Sequence, residues 1–198
     1  MSFPVPRGAD VEPRTWTAAA KSAVVRKNSW ARFLRRPSDD DAIAMHRLVA
    51  DTGVLDVNST YTYLLMATDF ADTTIVADRD GELCGLITGY HPPARPEVLF
   101  VWQVAVAEAA RGTGLAGVML DTLVERVRRD RHGHPVTVEA TVSPGNTASR
   151  ALFGGFARRH GVLLVEQPHF TAAQLDVDGI HEDEPLLRIG PITTPMVD

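Results

Sequence analysis

Six consecutive residues, Arg111-Gly112-Thr113-Gly114-Leu115-Ala116, have the composition of an anion-binding turn. An apolar run of strand composition, Val98 to Val106, leads into them through a short acidic and alanine-rich link. An amphipathic stretch follows, with Leu115, Val118, Met119, Leu120, Leu123, Val124 and Val127 at helical spacing. A strand that passes through a glycine turn into a helix aims several backbone N–H groups at one point, and the helix N-terminus adds positive dipole. Glycine lets a phosphate come close to the main chain. Two better-known phosphate cradles are absent. A dinucleotide site needs Gly-x-Gly-x-x-Gly after the first strand. A P-loop needs Lys followed by Ser or Thr after its last glycine. A glycine-rich turn that binds nothing has the same local composition, so the loop needs support from the rest of the chain.

Other groups capable of chemistry are dispersed. Asp56, Asn58, Ser59, Tyr61 and Tyr63 crowd polar atoms into one helix entrance. Capping accounts for Asn58 and Ser59, but it does not require Asp56 or Tyr61. Glu139 lies in a β-branched strand. Cys84 falls in another strand without electropositive neighbours, which is the setting of a small core residue, not a nucleophile. His181-Glu182-Asp183-Glu184 has metal-ligating residue types, but it reads as a solvated acidic turn. His132 and His134, with Arg128, Arg129 and Arg131, form a cationic helix end that the helix dipole favours. No spacing of His, Cys, Asp and Glu points to a metal.

The elements that must position these groups follow from local pattern. Trp30 to Arg35 reads as a first strand. Pro37-Ser38-Asp39-Asp40-Asp41 caps a helix running to about Thr52, with Ile43, Met45, Leu48 and Val49 inward. A second helix reaches about Phe70. Strands at Thr73 to Ala77 and Leu83 to Tyr90 are joined by Asp80-Gly81, a hairpin signal. Pro92-Pro93-Ala94-Arg95-Pro96 makes a stiff loop before the central strand. Another strand, Pro135 to Val142, leads to a helix opened by Pro144-Gly145-Asn146 and ending near Gly161. Short strands at Val162 to Val165 and Leu186 to Ile189 close the chain. This order, with hairpins among mixed elements, is an α+β pattern.

The chain of 198 residues is 44% hydrophobic and 23% charged, which suits one domain with a full core. Residues 1–29 read as a flexible extension, residues 30–192 as the domain and residues 193–198 as a tail. A net charge of −5 disfavours nucleic acid and anionic membrane surfaces as partners and is compatible with a cationic substrate. One cysteine excludes an internal disulfide. No spanning-length apolar run or signal-peptide stretch is present, so the expected location is cytoplasmic.

Arg111, Gly114 and Ala116 fit the Arg/Gln-x-x-Gly-x-Gly/Ala signature of the GNAT-type N-acetyltransferases, and the element order resembles their fold: a mixed, mostly antiparallel sheet splayed at its central strand. Five blocks narrow the resemblance. They are Leu55 to Leu65, Gly89-Tyr90-His91-Pro92-Pro93, Leu99 to Val106, Ser143 to Phe153, and His181-Glu182-Asp183-Glu184 before Arg188-Ile189-Gly190-Pro191. Together they resemble the diaminobutyrate acetyltransferases of ectoine synthesis over about Phe33 to Ile192.

The resemblance implies acetyl transfer from acetyl-CoA to the 4-amino group of L-2,4-diaminobutyrate, without a metal, by a homodimer joined through the late strands or an edge helix. It implies that Arg111, Gly112, Thr113, Gly114 and Ala116 hold the pyrophosphate, that Val104 and Val106 pair with the pantetheine arm, and that Asn146 lies beside that arm. Val104 N–H would serve as oxyanion donor. Asp56 and Glu184 would anchor ammonium groups, Tyr61 and Trp102 would wall the pocket, and His181, Glu139 or Glu184 would accept a proton. Where the family often has a tyrosine acid, this chain has Phe153; Tyr61 is the alternative. Another small amine, such as a polyamine or aminoglycoside, and a catalytically silent acyl-CoA-binding module are the competing readings.

Overall fold

A computed structural model describes residues 30–175 and 182–193. The expected flexible extension, His181 and the tail beyond residue 193 lie outside the described residues. In chain order the elements are β1 (Leu34–Arg35), α1 (Ala42–Thr52), α2 (Thr60–Ala67), β2 (Ile75–Arg79), β3 (Glu82–Tyr90), β4 (Val98–Val106), α3 (Leu115–Asp130), β5 (Val136–Thr141), α4 (Thr147–His160), β6 (Leu164–Phe170), α5 (Ala172–Leu175) and β7 (Glu184–Ile192). The strands form one sheet in the order β1-β2-β3-β4-β5-β7-β6. All neighbours are antiparallel except β4 and β5.

Two apolar layers sandwich the sheet. One packs α3 and α4 through Met119, Leu123, Phe153 and Phe156 onto Leu99, Val101, Val138, Ala140, Leu187 and Ile189. The other packs α1 and α2 through Met45, Val49, Tyr63 and Met66 onto Val76, Leu86 and Ala105.

Several boundaries differ from the sequence reading. Only Leu34–Arg35 is strand; Ala31–Phe33 form a 3-10 turn. Tertiary bonding overrides the local pattern there, because buried Trp30 donates its indole N–H to Thr113 Oγ1 at 3.1 Å. On α1, Met45, Leu48 and Val49 face inward as expected, but Ile43 is exposed and Ala42 takes the buried place. The helix α2 is capped by Ser59, not Asn58, and stops at Ala67. The strand β6 runs to Phe170, well past Val165. Its residues Glu166-Gln167-Pro168-His169 are exposed at the sheet edge. An edge strand open on both faces has no apolar alternation to reveal it.

Cys84 is buried, and that burial pushes its thiol up to about 11. The thiolate is therefore scarce at any pH below that value. The native protein is expected to resist iodoacetamide at pH 8, with stoichiometric labelling only after unfolding, read by intact mass.

Candidate active site

The strand β4 carries a bulge. Gly89 of β3 pairs with Val101 and Thr88 with Gln103, so Trp102 is the extra residue. A bulge reverses the alternation of side chains. Before it, Leu99 and Val101 join the α3–α4 core; after it, Ala105 joins the α1–α2 core. On its other edge β4 pairs with β5 only through Val98, Leu99 and Phe100. Beyond Phe100 the two strands part, and a cleft of about 760 Å³ opens between them. That volume is in the range of small-molecule sites.

The free edge of β4 lines this opening. Gln103 N–H bonds Thr88 Oγ1 at 3.2 Å and Ala107 N–H bonds Cys84 O at 2.9 Å, both toward β3. Strand alternation therefore turns the backbone groups of Val104 and Val106 toward the opening. Val104 lines the cleft, and Val106 O accepts a 3.2 Å bond from Arg111 Nε. An extended chain can add to such an edge as a strand would.

The glycine loop lies at the end of the same strand. Gly112 and Gly114 have φ of 75° and 85°, a region L side chains rarely enter. Gly114 caps α3 and brings no side chain to its N–H groups, so the first helical turn presents them outward. Thr113 spends its hydroxyl on Ala110 O at 2.7 Å and on the Trp30 indole. That leaves only its backbone N–H to face the space beyond the turn. Ala116 is half-buried against the core.

Asp56, Trp102, Asn146 and Glu184 all line the cleft. Asp56 is held by its backbone: its carbonyl accepts from Gln103 Nε2 at 2.9 Å, and Gln103 Oε1 accepts from the buried Tyr63 hydroxyl at 3.1 Å. Trp102 is 41% exposed, because the bulge removes it from the core. Asn146 caps α4, its Oδ1 accepting from Ser149 N at 3.0 Å. Glu184 accepts from Thr141 Oγ1 at 2.7 Å.

Two expected residues do not join this set within one chain. Glu139 is fully buried and does not line the cleft; its carboxylate is bound by Arg95, at 2.6 and 2.8 Å, and by Arg188. A carboxylate committed to two guanidiniums is an ion-pair anchor and not a proton acceptor. Tyr61 is 68% exposed and absent from the cleft wall, whereas Tyr63, two residues along the helix, is fully buried.

The sequence reading did not single out Gln103, Thr141, Arg95, His169 or Phe170 as parts of the site. All five line the cleft. Residue type alone held no signal: Gln103, Thr141 and Arg95 are held by partners distant in the chain. Glu182 Oε2 also accepts from Gly145 N at 2.8 Å and ties the turn before α4 to the approach of β7. Among the described residues no cluster of three or more His, Cys, Asp or Glu is placed for a metal. No described helix is long and apolar enough to cross a membrane.

Comparison with known proteins agrees with this geometry. Residues 30–156 match the family model described as Acetyltransferase (GNAT) family. The chain is 50% identical over 160 residues to an L-2,4-diaminobutyric acid acetyltransferase of Streptomyces avermitilis, covering 80% of this chain and 87% of that one. It is 39% identical over 195 residues to the enzyme of the same name from Halomonas elongata, covering 96% and 99%. A solved structure of diaminobutyrate acetyltransferase EctA from Paenibacillus lautus, in complex with its substrate L-2,4-diaminobutyric acid and coenzyme A, superposes with a TM-score of 0.74 at 40% identity, over 81% of this chain and 95% of that one. The bulged central strand, the parted β4 and β5, the glycine loop and these relatives together place the chain in the GNAT acetyltransferase family, among the L-2,4-diaminobutyric acid acetyltransferases.

Proposed function

We propose that the chain transfers the acetyl group of acetyl-CoA to the 4-amino group of L-2,4-diaminobutyrate, giving N4-acetyl-L-2,4-diaminobutyrate for the synthesis of ectoine, an osmoprotectant. The observation that carries this reading is a cleft at the open edge of β4 lined by both Asp56 and Glu184, in a chain 40% identical to one solved with that diamino acid and coenzyme A. The loop from Arg111 to Ala116 holds the pyrophosphate, and the edge at Val104 and Val106 with Asn146 orients the arm that carries the acetyl group.

An alkylammonium has a pKa of about 10 and must lose a proton before it attacks. Asp56 and Glu184 collect the cationic substrate, and Glu184 takes the proton directly or through water. Val104 N–H then faces the charge that develops on the thioester oxygen, a contact worth roughly 3 to 4 kcal/mol in comparable sites. Trp102 walls the acceptor, with a cation–π contact of about 0.5 to 2 kcal/mol. No tyrosine stands at Phe153, so the coenzyme thiolate leaves without a dedicated acid on α4.

A homodimer fits the exposed apolar side chains at β6 (Val165, Phe170) and around α2 (Val57, Tyr61, Leu64). Light scattering would test it. A single buried thiol and acetyl-CoA as donor fit the cytoplasm.

Thiol release from acetyl-CoA, with L-2,4-diaminobutyrate against ornithine, lysine and spermidine at equal concentration, tests the activity. Strong preference for diaminobutyrate and an N4-acetyl product by NMR are the expected result. Turnover confined to another amine would overturn the substrate, and binding of acetyl-CoA without turnover would replace the enzyme with a silent module.

A further inference from the structure

We propose that Arg95 selects an amino acid over a simple diamine by holding the acceptor's α-carboxylate, an inference that rests on the diamino-acid reading above. Arg95 is the one lysine or arginine among the described residues that line the cleft. Its backbone is preset. Arg95 N–H bonds Pro92 O at 2.8 Å, and Val98 N–H bonds Arg95 O at 3.0 Å. Arg131 Nη1 reaches the next carbonyl, Pro96 O, at 2.7 Å.

The charge count leaves Arg95 something to do. Its Nη1 serves both oxygens of Glu139, and Arg188 also bonds that carboxylate. One carboxylate between two guanidiniums leaves a surplus positive charge. Glu139 has no exposed surface, while the Arg95 and Arg188 side chains are 42% and 43% exposed; the two share the surplus, and Arg95 is the one that lines the cleft. The Nε and Nη2 groups of Arg95 have no partner among the described residues. They offer two donors in the fork geometry that suits a carboxylate.

Position agrees with this role. Glu139 faces Phe100 at the last paired rung of β4 and β5, so Arg95 is fastened to the floor of the splay. Thr141 lies two residues further along β5 on the same face, about 7 Å away, and it holds Glu184. In a short diamino acid the carboxylate and the far nitrogen lie about 5 to 6 Å apart when extended. A carboxylate at Arg95 therefore lets the far nitrogen of the same molecule approach Glu184. A diamine carries the same two cations but no carboxylate, so it leaves the Arg95 donors unpaired and brings no anion to offset that guanidinium, which is discrimination through a missing partner.

The test compares L-2,4-diaminobutyrate, its amide L-2,4-diaminobutyramide and 1,3-diaminopropane on the wild type, Arg95→Gln and Arg95→Lys. The wild type is expected to favour the acid over both others. Arg95→Gln, which leaves Arg188 on Glu139, should lower kcat/KM for the acid about 50-fold, mainly through KM. The amide and the diamine should change by no more than about 3-fold, and Arg95→Lys should recover part of the loss. Equal losses on all three substrates would make Arg95 a merely structural partner of Glu139 and overturn the proposal. So would a wild type that accepts the amide as well as the acid, a result that needs no variant to fold. A wild type that acetylates none of the three but accepts another amine would overturn the functional reading itself.

Discussion

Glu184→Gln is expected to lower kcat/KM for diaminobutyrate several-hundredfold while leaving the KM for acetyl-CoA and the melting temperature nearly unchanged. The carboxylate begins β7 and accepts from Thr141 Oγ1 at 2.7 Å. Glutamine has the same shape, and its carbonyl oxygen can accept the same bond, so the substitution removes charge and basicity alone. An ammonium facing a carboxylate in a partly desolvated cleft loses roughly 2 to 5 kcal/mol when that charge is removed. The loss of a proton acceptor adds to the deficit. Steady-state kinetics with both substrates varied, together with a thermal melt, distinguishes this from misfolding. A loss below about 3-fold, under 1 kcal/mol, would remove Glu184 from the reaction.

The second large effect concerns a residue with no side chain. Gly89→Ala is expected to destabilise the protein by about 3 kcal/mol or more, because over-packing against fixed atoms is costly. At this chain length that is a fall in Tm of roughly 6 to 12 °C. A Cβ at Gly89 would sit 2.7 Å from Phe100 O and 3.1 Å from Thr73 O. Both are backbone atoms, and Gly89 O already accepts from Thr73 Oγ1 at 2.7 Å. The strands cannot give there without disturbing the bulge that turns Trp102 out and frees the edge at Val104. Activity should therefore fall with stability. Gly85→Ala is the control. Its Cβ would meet the Met119 methyl at 2.8 Å, but that atom ends a flexible side chain, so the cost should stay near 1 kcal/mol. Scanning calorimetry of both variants decides the matter; equal, small losses would mean that the close approach at Gly89 does not shape the site.

Much of the fold was legible because its signals are local. The hairpin at Asp80-Gly81, the helix caps at Ser59 and Asn146, the strand Val98–Val106 and the loop from Arg111 to Ala116 all depend on residues close together in the chain. The failures have a common cause. Trp30 ends in a turn because its indole finds Thr113, 83 residues away. The edge strand β6 was cut short because it buries neither face.

Sequence alone determined the α+β order, the glycine turn that opens α3 and the family, and it singled out Asp56 and Glu184, both of which line the cleft. Tertiary structure decided which polar residues reach the cleft. Glu139 and Asp56 look alike as isolated carboxylates. Only the packed sheet places Arg95 and Arg188, 44 and 49 residues distant, on Glu139 and leaves Asp56 at the cleft. Tyr61 and Tyr63 differ by two positions, and the helix rotation between them buries one against Gln103 and exposes the other. Periodicity can assign a face to each residue, but it cannot say what the face will meet. A bulge such as that at Trp102 reverses the faces midway along a strand, through pairing that no local pattern records.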